Sequence, residues 1–405
     1  MNTKSPVLRL FPVLLVNLIG FAISIPVLPA LAYALDGTAT DVGFLYAIQA
    51  LGQLLMAPIW GAISDRFGRK RTLIATFLTA AVFEVMTALT PALWLLYIVR
   101  FLVGMCAGNV ATASALIADS TDPQSRSKGM AVIGISFGIG FTIGAGLGAW
   151  ISTFGASGPG PLATGLPFAI GACIYVIAAI MGVFLLIEPT RDAAARRENR
   201  VKTGLASIAH HLKSRPVALM CGIFFSYSLA ITIMEGTFFV YANEIYGWEQ
   251  KQVGMSFAAF GLLMALVQGG IGRISKKIGD RRMVGIGVLL VGVGLTVTPF
   301  NHALWFLFVF LGLATVGRAL VHPGILSMTS SLSPDPSQTG ALMGVLQSFA
   351  SLSRVVGPAI GGLIFVHISH GAPFWLSGVL LLVTGAWWWK AGRVLMARDS
   401  ASVGR

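Results

Sequence analysis

Two carboxylates and a guanidinium that could move protons stand in stretches otherwise built from apolar residues: Glu84, Glu235 and Arg100. A charged side chain in hydrocarbon is expensive, so it turns to the interior of a helix bundle, to a watery cavity or to a partner. A carboxyl group held in a low-dielectric setting exchanges its proton nearer to neutrality than one in water. Glu235 and Glu84 are therefore the natural proton carriers of this chain, and Glu235 is also suited to meet a cationic compound. A structural hydrogen bond is the plain alternative for Glu84. Arg100 lies about one and a half turns into its apolar segment, so snorkelling to the nearer membrane surface is its alternative.

A second group of reactive side chains is packed into Gly61-Ala-Ile-Ser-Asp65-Arg66-Phe-Gly68-Arg69-Lys70-Arg71. Such a cluster cannot lie in hydrocarbon, so it forms a short loop on one membrane face. Gly61 permits close helix approach, Gly68 suits a tight turn, and Asp65 is placed to meet an arginine or a helix N-terminus. Weaker candidates are the amides Asn17, Gln49, Gln53, Asn109, Gln268 and Gln347, which either line a cavity or bridge helices. Gln49 and Gln53 are four apart and share one face. Cys106, Cys173 and Cys221 all fall in apolar segments, and the adjacent His210 and His211 sit in a basic loop. Neither set has the spacing of a disulfide framework or a metal site.

The elements that must hold these groups are membrane helices. The chain of 405 residues is 56% hydrophobic and 11% charged, with 48 glycines and a mean hydropathy of +0.81. That composition excludes an ordinary soluble domain and predicts close helix contacts. The net charge of +13 lies almost wholly in loops and at the two ends, which argues against a nucleic-acid partner. Twelve apolar segments can be drawn, at 8–31, 42–63, 72–90, 95–118, 129–152, 166–188, 217–241, 251–272, 283–300, 303–330, 339–366 and 372–392. Each is near the ~20 residues a spanning helix needs. The first is too long for a cleaved signal core, so it reads as an uncleaved span.

Orientation follows from lysine and arginine. Alternate loops and the two ends carry 24 of the 28 basic residues, and the opposite loops carry only Lys251. Positive residues mark the cytoplasmic side, so both termini are predicted to be cytoplasmic. The remaining three, Arg100, Arg318 and Arg354, lie inside helices. The domains follow: a six-helix bundle over 1–188, a basic cytoplasmic linker over 189–216, and a second six-helix bundle over 217–405. Gly272-Arg-Ile-Ser-Lys276-Lys277-Ile-Gly279-Asp280-Arg281-Arg282 repeats the spacing of Gly61–Arg71, with Lys276 in place of Asp65. An internal repeat of this kind is typical of transporters built from two related halves.

The loop Gly61–Arg71, in its position between the second and third segments, resembles the signature loop of the major facilitator superfamily. Further resemblance lies in Pro26-Val-Leu-Pro29, Pro91-Ala-Leu-Trp94, Arg100-Phe-Leu-Val-Gly104, Ile117-Ala-Asp119 and Ser256-Phe-Ala-Ala-Phe260-Gly261. It covers nearly the whole chain and is strongest to the drug:proton antiporter branch, the tetracycline exporters and their multidrug cousins. The resemblance implies an all-α polytopic fold of twelve helices in two pseudo-symmetric halves, and secondary transport by alternating access. It implies a proton-transfer role for Arg100 and a cavity-lining position for Glu235. It further implies a cytoplasmic gate of Gly61, Asp65, Arg66, Gly68, Arg69, Arg71, Asp119 and Arg126.

The antiporter pattern of the fifth helix is altered here. Gly140, Gly144 and Gly148 are kept for packing, but Ala145 and Ala149 stand where proline and glycine are expected. The eleventh helix keeps Gly357-Pro358 and Gly361. Asn17 stands where tetracycline exporters have an acid. The expected activity is proton-coupled efflux of an amphiphilic compound by a monomer in the inner membrane, driven by the proton gradient without a cofactor. A proton-linked metabolite symporter is the alternative. A membrane receptor or enzyme is the distant one, as no lysine lies near the middle of an apolar segment and no H-E-x-x-H motif is present.

Overall fold

A computed structural model describes residues 6–107, 109–120, 126–155, 161–188, 214–331 and 336–402, and no strand occurs among them. Each of the twelve expected segments is helical. The spans run Pro6–Ile23 with Leu28–Ala34, Ala39–Phe67, Arg69–Ala88, Leu93–Cys106 with Asn109–Ser120, Arg126–Gly155 and Pro161–Leu185. They continue with Arg215–Tyr246, Gln250–Ile278, Asp280–Val297, Leu304–Ser331, Pro336–His367 and Ala372–Ser402. Several exceed the length that hydrocarbon requires, so their ends project into the polar zones. The short seam after the ninth span is a single 3-10 turn, Thr298–Phe300, followed by Asn301, whose Oδ1 accepts the Ala303 amide at 2.9 Å. The expected linker lies, up to residue 213, outside the described residues.

By packing, the chain falls into two compact units. One is Met1–Glu198 with Phe238–Leu262, and the other is Asn199–Thr237 with Leu263–Arg405. The boundaries cut through the seventh and eighth spans. In the first unit, Leu10, Leu73, Phe77, Leu116 and Ala178 form a core in which the first, third, fourth and sixth spans meet. Side chains such as Phe184 and Trp94 stay exposed, as apolar surface facing lipid does.

Glycine sets the interhelical distances. Gly140, Gly144 and Gly148 form one stripe along the fifth span. Were they alanines, their Cβ atoms would meet Leu18, the Ile19 carbonyl with Ala22, and the Ile23 carbonyl of the first span. Their counterpart in the second unit is the eleventh span. Gly357 faces Thr232, Gly361 faces the Ile233 carbonyl and Thr237, and Pro358 rests on Gly236. Small residues let backbones approach where lipid supplies no hydrophobic drive for association. Ala145 and Ala149, the departures from the antiporter pattern, are both fully buried. Their backbone and side chain are met by Gly254 of the eighth span, so the bulk added on one helix is removed from the other.

Among the described residues, the first and fourth spans are each divided into two helices. The first is interrupted by a turn around Ser24–Val27, and the fourth at Ala107. Breaks at membrane depth leave carbonyls without their helical partners, and these must be satisfied from elsewhere. The second span supplies what is missing. Tyr46 donates to the Ile25 carbonyl at 2.6 Å, Trp60 Nε1 to the Met105 carbonyl at 2.5 Å, and Gln53 to the Ala107 carbonyl at 3.4 Å.

Candidate functional site

Four of the membrane-embedded charges form two ion pairs of opposite character. In the first unit Arg100 donates to Glu84 at 2.9 Å and also to the Thr87 hydroxyl, and its guanidinium lies 5.3 Å from the Phe168 ring centroid. Arg100 and Glu84 are 0% and 1% exposed. Glu84 and Arg100, read separately from the sequence, thus meet each other. Arg100 does not reach a membrane surface. It is held between the third and sixth spans by a carboxylate, a hydroxyl and an aromatic face. A pair so enclosed offers neither water nor a compound direct access.

In the second unit the Glu235 carboxylate lies 2.5 Å from Arg318 Nη1, and their side chains are 30% and 28% exposed. This pair therefore borders open space. Tyr227 donates to the Arg318 carbonyl at 3.4 Å, and the Phe224 ring stands 5.7 Å from His322, one turn beyond Arg318. Arg318 was legible as an intramembrane charge, yet its pairing was not assigned. The available signal was charge balance: an arginine inside the second bundle demands an acid, and Glu235 is the acid those helices provide.

Amide candidates scatter. Asn17 is 1% exposed, Gln49 and Gln268 are half-buried, and Gln347 is exposed. Gln53 caps a broken helix, as described above. The Gln49 backbone lies where Gly104 makes its close approach. The side chain of Asn109 lies outside the described residues.

The signature loop is built around Gly68, whose φ of +102° and ψ of 150° only glycine adopts without strain. The third span starts at the next residue. Its first amides, Arg69 and Lys70, donate to the two oxygens of Glu188 at 2.6 and 2.9 Å. A carboxylate is favoured at a helix N-terminus by the exposed amides and the helix dipole. Arg69 is 6% exposed and turns back to Asp65 at 2.5 Å and to Ser64. Arg66 lies over the Phe67 ring at 5.4 Å, and Arg71 is exposed. A side chain at Gly61 would meet no described atom within 4 Å, so the close approach expected there is not made. The side chains of Asp119 and Arg126 lie outside the described residues. Glu188 was not among the expected gate residues, although its place as the last residue of the sixth apolar segment put it on the face that carries the loop.

A polytopic all-helical protein with paired intramembrane charges, glycine-packed spans and a signature loop on one face belongs to the class of secondary transporters. The family model described as Major Facilitator Superfamily matches residues 10–267 and 223–403, so the chain belongs to that superfamily. It is a transporter and not an enzyme. The chain is 28% identical to the tetracycline resistance protein, class C, of Escherichia coli over 401 residues, covering 96% of this chain and 98% of that one. It is 27% identical to multidrug resistance protein 2 of Bacillus subtilis over 388 residues, covering 92% and 93%. Among solved structures it is similar to a bacterial homolog of the human lysosomal transporter Spinster, with a TM-score of 0.78 at 15% identity, covering 97% of each chain. That likeness concerns the fold.

Proposed function

We propose that this chain is a proton-coupled exporter of amphiphilic small molecules in the inner membrane, with both termini in the cytoplasm, working as a monomer by alternating access. The names of the relatives support drug export, and the distribution of basic residues supports the orientation. The observation that carries the coupling is the contrast between the two ion pairs. Glu235–Arg318 borders open space, whereas Glu84–Arg100 is sealed.

In this reading Glu235 takes up the proton. Protonation removes the charge that holds Arg318, and the carboxylate, once free of its proton, is again available to a basic group of the compound. Proton and compound then compete for one carboxylate, which is what exchange requires. Glu84 and Arg100 hold the first unit together rather than relay protons. The gate residues Asp65 and Arg69, with Glu188, position the third span on the cytoplasmic face.

The test is export of ethidium and tetracycline from energised cells carrying wild type or Glu235→Gln, with a protonophore control. Protonophore-sensitive export that is lost in Glu235→Gln supports the reading. Export that persists unchanged in the variant removes Glu235 from the coupling. Proton-dependent accumulation in place of export marks a symporter.

A further inference from the structure

Around the Glu235–Arg318 pair the charges do not balance. Arg354 is on the eleventh span, which is tied to the span of Glu235 at the residue before it. The Ser353 hydroxyl donates to the Phe225 carbonyl at 3.1 Å, and the Ser353 carbonyl accepts from Thr232 at 3.0 Å, which brings Arg354 within electrostatic reach of the Glu235 carboxylate. Arg354 is exposed, and its hydrogen-bond partner is the Ser351 hydroxyl at 2.9 Å. Among the described residues no carboxylate lies within salt-bridge distance of it, and Glu235 is engaged by Arg318. Glu235, Arg318 and Arg354 each lie more than ten residues from either end of their helices. Two guanidinium groups therefore share one carboxylate where a spare cation is costly. Gln347 and Ser351 continue the face of Arg354 at helical spacing, and Phe225 with Phe349 adds an aromatic contact at 6.2 Å nearby.

From this surplus we infer that Arg354 is a substrate-binding residue that takes an anionic group of the transported compound. The inference rests on the exporter reading above and deepens it by naming the substrate class. A compound bearing only negative charge would bind best while Glu235 carries its proton, and that is the binding order of a symporter. Exchange requires the compound also to present a basic nitrogen to the Glu235 carboxylate. The class that satisfies both is a zwitterionic amphiphile: its cationic centre lies on Glu235 in competition with the proton, its acidic group lies on Arg354, and its apolar body lies along the aromatic side chains.

The test measures binding to the purified full chain in a nonionic detergent, with no proton gradient. Charge selectivity is thus read separately from coupling and direction. Three probes share one apolar body: naphthylalanine (zwitterion), its methyl ester (cation) and its N-acetyl derivative (anion). Titration calorimetry is expected to rank the zwitterion at least tenfold tighter than the ester. Arg354→Gln should weaken the zwitterion and the N-acetyl derivative about tenfold while leaving the ester bound no more weakly, and Arg354→Lys should restore part of the loss. Retained ester binding shows that Arg354→Gln is folded; where that variant cannot be purified, Arg354→Lys weakened two- to fivefold towards the two acidic probes alone supports the same conclusion. Three results overturn it: an ester that binds as tightly as the zwitterion, an Arg354 variant that alters all probes alike or none, and no binding by any probe.

Discussion

The carboxylate of Glu188 closes the N-terminus of the third span by accepting the backbone amide of Arg69 at 2.6 Å, with the Lys70 amide on its other oxygen. The loop between the second and third spans is thus fastened to the end of the sixth. Its geometry also explains why Gly68 is a glycine for two separate reasons. The backbone conformation excludes a side chain, and a Cβ would stand 2.8 Å from Glu188 Oε1.

Gly68→Ala should therefore lower stability by about 1–3 kcal/mol from backbone strain alone. Glu188→Gln keeps two acceptor sites only in part and should cost about 1 kcal/mol through the weaker interaction with the helix terminus. Gly61→Ala meets open space and is expected to leave stability within about 0.5 kcal/mol. Thermal unfolding of the three variants in one detergent checks the ranking; equal melting temperatures for the Gly68 and Gly61 variants would contradict it.

Glu84→Ala leaves Arg100 buried without its carboxylate and should destabilise by about 3–5 kcal/mol. Replacing both partners with leucine removes the stranded charge and should recover most of that loss. The same unfolding assay reads both. If Glu84→Ala folds as stably as wild type but loses proton coupling, the pair is a proton relay and not a structural fastening.

Gly144→Ala forces a Cβ against the Ile19 carbonyl and Ala22. Spans one and five would then have to separate, and a loss of about 1–3 kcal/mol is expected from overpacking. Gly138, nearly two turns earlier on the same helix, has open space instead: a Cβ added there would meet no described atom within 4 Å. Gly138→Ala is expected to be neutral or slightly stabilising, because alanine lowers the cost of ordering a helix. Yield of monodisperse protein, compared side by side, separates the two.

The spans were legible because hydropathy and length dictate them: a stretch such as Arg215–Tyr246 has no alternative but to cross. Glycine stripes were legible by the same logic of spacing. Pairing was not. Glu84 lies sixteen residues before Arg100, on a different span, and nothing local to either residue says that their side chains meet. Glu235 and Arg318 are further apart still, and only a balance of intramembrane charge would have joined them. The breaks in the first and fourth spans were hidden for another reason. A helix interruption inside an apolar segment changes no hydropathy, and the groups that satisfy it lie on the second span, not on the broken helix.

Trp60→Phe removes the donor on the Met105 carbonyl, and Tyr46→Phe the donor on the Ile25 carbonyl. Each leaves a polar backbone atom unmet and should cost about 1–2 kcal/mol. Hydrogen exchange should rise locally, at residues 104–110 for Trp60→Phe and at 22–28 for Tyr46→Phe. Exchange that rises uniformly instead would show a global loss of stability with no local cap involved.

Those two breaks have a mechanical consequence. Where a helix lacks its own backbone bonds it bends easily, and a freely bending helix transmits little torque. Here each weak point is tied across to the same neighbouring span at Tyr46, Gln53 or Trp60. A flex in the first or fourth span must drag the second along, and a tilt of the second must strain both. The three helices are geared together, so a displacement of the second span is felt at both soft joints.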